Sequence, residues 1–172
     1  MAHVMIRNSG SLVARVESLM HTLTGWLAWA ALAVAPMALR FALAVPFFRS
    51  GLTRWAGFLQ LSDSTVYLFE EEFKLHIFGG EYGFPAPDLV AYLVATAEVT
   101  LPVLLVLGLA TRFAAFAMLI MTGVIQLVVP DGWANFHLPW AAMALAIIAL
   151  GAGPVSLDRL IALRFPAKVH EI

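Results

Sequence analysis

The chain has no cysteine. That excludes disulfides, thiol catalysis and cysteine-ligated iron–sulfur or zinc centres. It also has little charge: Asp, Glu, Lys and Arg make up 12% of its 172 residues, where about 25% is usual for a soluble domain. The net charge of −1 gives no basic surface for nucleic acid. What fills the chain instead is hydrocarbon. Hydrophobic residues reach 62%, with a mean hydropathy of +0.88. These numbers describe an integral membrane protein with small polar extensions.

Four apolar stretches approach the roughly 20 residues that a spanning helix needs. They cover residues 26–48, 89–109, 113–129 and 133–150. Each holds little polarity: Arg40 in the first, Glu98 in the second, Gln126 in the third and His137 in the fourth. Glycine and proline punctuate the breaks, as in "GLATR" at 108–112 and "PDGW" at 130–133. The expected fold is an all-α integral membrane four-helix bundle. "AVA" at 33–35 looks like a signal-peptidase site, but Pro36 follows it and the apolar run continues, so the first span is expected to stay uncleaved.

Two short interfacial helices are expected besides the spans. Leu12, Val16, Leu19 and Leu23 follow helical spacing and predict an amphipathic helix in a cytoplasmic segment 1–25, ending before Gly25. In the outer loop 51–87, Ser62 and Asp63 are cap candidates. Val66, Phe69, Phe73 and Ile77 form a stripe, and Gly79-Gly80 end it, which predicts one helix. The four-span domain runs over 26–160 and a cytoplasmic tail over 161–172. Basic residues set the orientation. With both termini inside, Arg7, Arg15, Arg112, Arg159, Arg164 and Lys168 lie on the inner side, against Arg49, Arg54 and Lys74 outside. This places both termini in the cytoplasm of a bacterial inner membrane.

Arg40 is the outstanding residue. A charge at a bilayer centre costs about 2.5–3.5 kcal/mol on insertion scales and calls for a partner. Counting along the helices puts Arg40 about 12 Å below the outer end of span one and Glu98 about 13–15 Å below that of span two. The matching depths predict an Arg40–Glu98 pair. Ala91, Ala95, Glu98 and Pro102 share one face of small residues suited to close helix packing. Gln126 and His137 fall about 5–6 Å below the outer ends of spans three and four, and Arg49 closes the outer end of span one. All these polar groups favour the outer half.

Each has a plainer reading beside the functional one. An Arg–Glu pair fixes helix register as readily as it binds a ligand. Gln126 fits an interhelical hydrogen bond. His137 lies between Trp133 and Trp140, which suit an interfacial anchor. Met118 and Met121 read as packing, and Glu72 with His76 as a solvated face, so no metal site is expected.

The motifs resemble the DoxX family of small four-helix bacterial and archaeal membrane proteins. "LRFALAVPFFRSGLTRW" at 39–55 is similar to its first span. "FPAPDLVAYLVATAEVTLPVLLVLGLATRFAAFAMLIMTGV" at 84–124, with Glu98 and then Gly-Leu-Ala-Thr-Arg, is similar to its central signature. "GAGPVSLDRL" at 151–160 resembles its glycine-rich exit. The likeness covers about residues 36 to 160. Two features depart from the pattern: Arg54 stands where members often have Lys, and the acidic outer loop is long.

The resemblance implies a four-helix bundle, and it implies several roles. One branch is a subunit of thiosulfate:quinone oxidoreductase. Others accompany redox, stress or metal-binding peptide systems as membrane partners. Many have no assigned activity. The leading expectation is a redox-linked subunit that binds quinone in the outer half and takes electrons from a partner protein. Arg40, His137 and Arg49 are then donors or binding groups, Gln126 orients the ring, and Glu98 relays a proton. The alternatives are a membrane anchor or assembly factor and, third, a small transporter. The chain offers no covalent cofactor site and no evidence of catalysis by itself; a homo-oligomer is compatible with it.

Overall fold

The computed structural model describes residues 6–165. Lys168 and residues 1–5, which entered the reading of the termini, lie outside the described residues. The chain divides into two compact units, one ending at Ala35 and one running from Pro36. The described residues of the first unit are helical, with Trp26 and Trp29 edge to face at 6.2 Å.

Helix α1 (Ile6–Thr53) contains the first span. It runs through Gly25 without the break that the glycine predicted. α3 (Pro87–Leu107), α4 (Thr111–Val128) and the stretch Pro130–Leu150 are also long and apolar enough to cross a membrane. The last of these opens with a 3-10 turn (Pro130–Gly132) and a π-helical turn (Trp133–His137), then continues as α5 (Leu138–Leu150). A short α6 (Leu157–Arg164) follows, capped by the Ser156 hydroxyl. The protein is an all-α membrane bundle.

The core shows why the bundle closes. Leu43, Ala44 and Phe47 of α1 meet Leu105 of α3, Ala114, Ala115 and Met118 of α4, and Ala144 and Ile147 of α5. Small residues on the facing surfaces bring the backbones close, as association in lipid requires. Ala91, Ala95, Glu98 and Pro102 are buried along one face of α3, the face that the spacing marked. Met118 is core packing, fully buried.

The loop between α1 and α3 is not the single helix that the sequence predicted. It holds a hairpin, β1 (Trp55–Gly57) with β2 (Gln60–Leu61), then α2 (Asp63–Tyr67) and a π-helical turn (Leu68–Glu72). A second hairpin follows, β3 (Lys74–Ile77) with β4 (Gly80–Gly83). Ser62 does cap the helix, accepting from the Thr65 N–H. The stripe then breaks at Phe73, which is extended, and Gly79 at φ +81 makes a hairpin turn rather than a helix stop. Alternating burial in a short strand and helical spacing share positions over so few residues, so Phe73 and Ile77 fit both patterns.

Candidate functional site

Two polar groups lie at opposite ends of the bundle, and Arg40 and Glu98 belong to different ones. The expected Arg40–Glu98 pair is not formed. Arg40 is buried, and its Nη1 and Nη2 donate to the carbonyls of Ala152 and Val155 at 2.8 and 2.9 Å. Its partners are therefore backbone groups of the segment after α5. Glu98 instead pairs with Arg54, Nε to Oε2 at 3.1 Å. The Ser50 hydroxyl lies 3.2 Å from both carboxylate oxygens. The physical reason lies in the helix ends. Gly51, near the end of α1, packs directly on the backbone of Glu98: a Cβ there would lie 2.8 Å from the Glu98 carbonyl carbon, too close to fit. Glu98 lies about 16 Å along α3 from Pro87. α3 thus continues for three turns past the end of α1, and depths counted from loop ends cannot be compared.

At the tail end, the segment 151–158 closes around Arg40. Gly108 ends α3 in the left-handed region at φ 67, and a Cβ there would overlap Arg40 Nη1. Asp158 accepts from the backbone N–H groups of Ala110 and Thr111 at 2.7 and 2.9 Å and so caps α4. Its own N–H returns to the Gly108 carbonyl at 2.9 Å. Burial pushes the Asp158 carboxyl up, but the Thr111 and Ala110 donors and the Arg40 charge outweigh it and hold it below its ordinary value. The "GLATR" turn, Arg40 and "GAGPVSLD" are therefore one structural clasp. The spacing of 112 residues between Arg40 and Ala152 left no local signal for it.

At the loop end, a cavity of about 630 Å³ opens above the end of α1. Its walls are almost wholly apolar: Pro46 and Phe47, the α3 face from Val90 to Leu101, the α4 face from Ala117 to Val128, and Trp140. Phe69, Phe73 and Phe84 of the loop close it on one side. Ser50, Arg54 and Glu98 supply the polarity. The Arg54 guanidinium also lies over the rings of Phe69 and Phe73, at 5.6 and 5.8 Å, which holds it in the wall. Its Nη groups make no hydrogen bond among the described residues; only Nε is engaged, by Glu98. An apolar cavity of this size with a few convergent polar groups is the ordinary form of a small-molecule site.

The remaining predicted residues sit around this cavity rather than in it. His137 is buried, with Nδ1 2.6 Å from Gln126 Oε1. Gln126 in turn donates to the Pro130 carbonyl at 3.0 Å. The pair pins the turn between α4 and α5. The His137 ring lies 5.5 Å from that of Trp140, which does line the cavity. Arg49 is exposed and lines no part of it. His76 approaches the Leu127 carbonyl at 3.0 Å and Glu81 at 3.6 Å, not Glu72. No cluster of three metal-ligating side chains occurs among the described residues. Sequence reasoning missed Arg54, Ser50 and the phenylalanines. The available signal was Gly51, whose small size marks where two backbones touch.

Comparison with known proteins agrees with this architecture. The DoxX family model matches residues 35–131. An uncharacterised protein of Haemophilus influenzae is 32% identical over 153 residues, which cover 78% of this chain and 88% of that protein. No solved structure matches. The chain belongs to the DoxX family of membrane proteins.

Proposed function

We propose that the loop-end cavity binds a quinone and that the chain serves as the quinone-binding membrane subunit of a redox-linked system. The free Nη donors of Arg54 at the wall of an apolar cavity carry this reading. A quinone presents a carbonyl acceptor on an apolar ring, which matches both features. Arg54 donates to the ring oxygen, and Glu98, the one carboxylate in the wall, relays protons from solvent to the ring, two of them for the two electrons that the partner protein delivers in reduction to the quinol. Gln126 and His137 act one step back by fixing Trp140. Electrons come from a partner protein docked on the loop side. The basic-residue count puts that side outside, with both termini in the cytoplasm of a bacterial inner membrane.

A second reading, an anchor or assembly factor, draws on one observation. Both oxygens of Glu98 already have protein partners, so its burial needs no ligand. Transport has no comparable support: Leu43, Ala44 and Phe47 place apolar core between the two polar groups.

Titration of a short-chain quinone into the detergent-solubilised protein decides between the first two readings. The quinone reading expects saturable binding at one site, weakened about tenfold or more in Arg54→Ala, the loss of one hydrogen bond from a charged donor. Absence of saturable binding by folded wild type refutes it and leaves the anchor.

A further inference from the structure

We infer that the cavity opens sideways into the bilayer between α3 and α4, and that this opening holds the hydrocarbon tail of a membrane-dissolved ligand whose head lies against Arg54. The inference rests on the proposed reading of the cavity as a quinone site and adds where the tail lies. Five lining residues also face outward; Pro85 and Val129 flank the helices at the loop level, and three lie on the helices themselves: Leu93 on α3 is 59% exposed, and Ile120 and Val124 on α4 are 55% and 36% exposed. A residue that is at once cavity wall and outer surface marks a rim. All three belong to spanning helices, so the medium outside that rim is hydrocarbon, not water.

Small side chains keep the seam open. Ala97 of α3 and Ala117 of α4 are lining residues, and neither is fully buried. Away from the rim, the phenylalanines of the loop close the cavity from above, and Phe47 with Trp140, 4.9 Å apart, close it from below. The polar groups cluster where the end of α1 meets Glu98: the Ser50 hydroxyl and Arg54 Nε both bond to its carboxylate. A ligand with an acceptor head and a long apolar tail therefore has one arrangement that leaves no polar group unpaired and no tail in water. The head meets Arg54 and the tail passes between Leu93 and Ile120 into lipid. A free, tail-less ring needs only the head position.

The test compares a polyprenylated quinone with its tail-less analogue on the full-length protein in nanodiscs. Ala97→Trp and Ala117→Trp each fill the seam from a different helix. Phe113→Trp, on the outer surface of α4 and away from the cavity, is the control. The portal predicts that the seam variants lose affinity for the long-tailed quinone by about tenfold or more and keep that for the tail-less ring within about twofold, with the control unchanged for both. Undiminished binding of the long-tailed ligand by both seam variants overturns the portal. So does an equal loss of both ligands in variants that keep wild-type unfolding temperatures. If wild type binds neither ligand, the quinone reading itself fails, and that result is distinct from the other two.

Discussion

Substitution of Gly108 by Ala tests the assignment of Arg40 to structure. The backbone at this position, φ 67 and ψ 39, disfavours a side chain, which costs about 1–2 kcal/mol in the left-handed region. Ala110, two residues on, tolerates φ 47, so backbone conformation alone does not forbid the change. The larger effect is the clash. The new methyl overlaps Arg40 Nη1 and comes within 2.5 Å of the Ser156 Cβ. Relief requires the guanidinium to leave the Ala152 carbonyl, a hydrogen bond from a charged donor contributing about 1.5–3 kcal/mol. The sum is about 2.5–5 kcal/mol. On the scale of soluble domains of this size, that lowers the unfolding temperature by on the order of 10 °C. Thermal unfolding in detergent reads the shift. Because the guanidinium contact is shared, Gly108→Ala on an Arg40→Ala background keeps its backbone cost of about 1–2 kcal/mol and its contact with Ser156 but loses the Arg40 share. A fall of less than about 2 °C, or full additivity, refutes the clasp. Quinone binding, at the other end of the bundle, stays within about twofold of wild type in the folded fraction.

Other expectations follow from the same geometry. Asp158→Asn removes a charged acceptor from the start of α4 and lowers stability at neutral pH by about 1–2 kcal/mol. Because the folded carboxyl lies below its ordinary value of 3.8, its contribution is present above that value and is lost as pH falls through the lower folded one. Wild type therefore loses stability on acidification below that pH more steeply than Asp158→Asn, as denaturation at several acidic pH values shows. Gly51→Ala forces α1 off the backbone of Glu98, separates Ser50 from the carboxylate and weakens quinone binding, read by the same titration. Gly132→Ala drives a methyl within 2.5 Å of the His137 ring and breaks its bond to Gln126. The expected cost of about 1–3 kcal/mol, from the unpaired buried group, appears in thermal unfolding.

The spans were legible because a membrane imposes one strong rule: backbone polar groups must be satisfied inside an apolar helix. The close-packing face of α3 was legible for a related reason, since small residues at helical spacing have few other uses in lipid. Gln126 and His137 were placed at similar depths, and they do meet. The partner of Arg40 was not legible. Sequence distance along helices gives depth only when the ends are level, and α3 overshoots α1 by three turns. Nor does a search for charged partners find carbonyls, yet it is carbonyls of a glycine-rich segment that hold Arg40. In the sequence, Arg54 reads only as a loop charge that bears on orientation. Its side chain reaches back past the end of α1 to Glu98, a direction that no local pattern encodes.

Mass spectrometry of the lipid extract from mildly solubilised protein tests the central claim most directly, with Arg54→Ala alongside wild type. Near-stoichiometric quinone is expected with wild type and its loss in the folded fraction of Arg54→Ala, whose unfolding temperature also falls because Glu98 loses its charged partner. Quinone absent from folded wild type, or retained in full by Arg54→Ala, contradicts it.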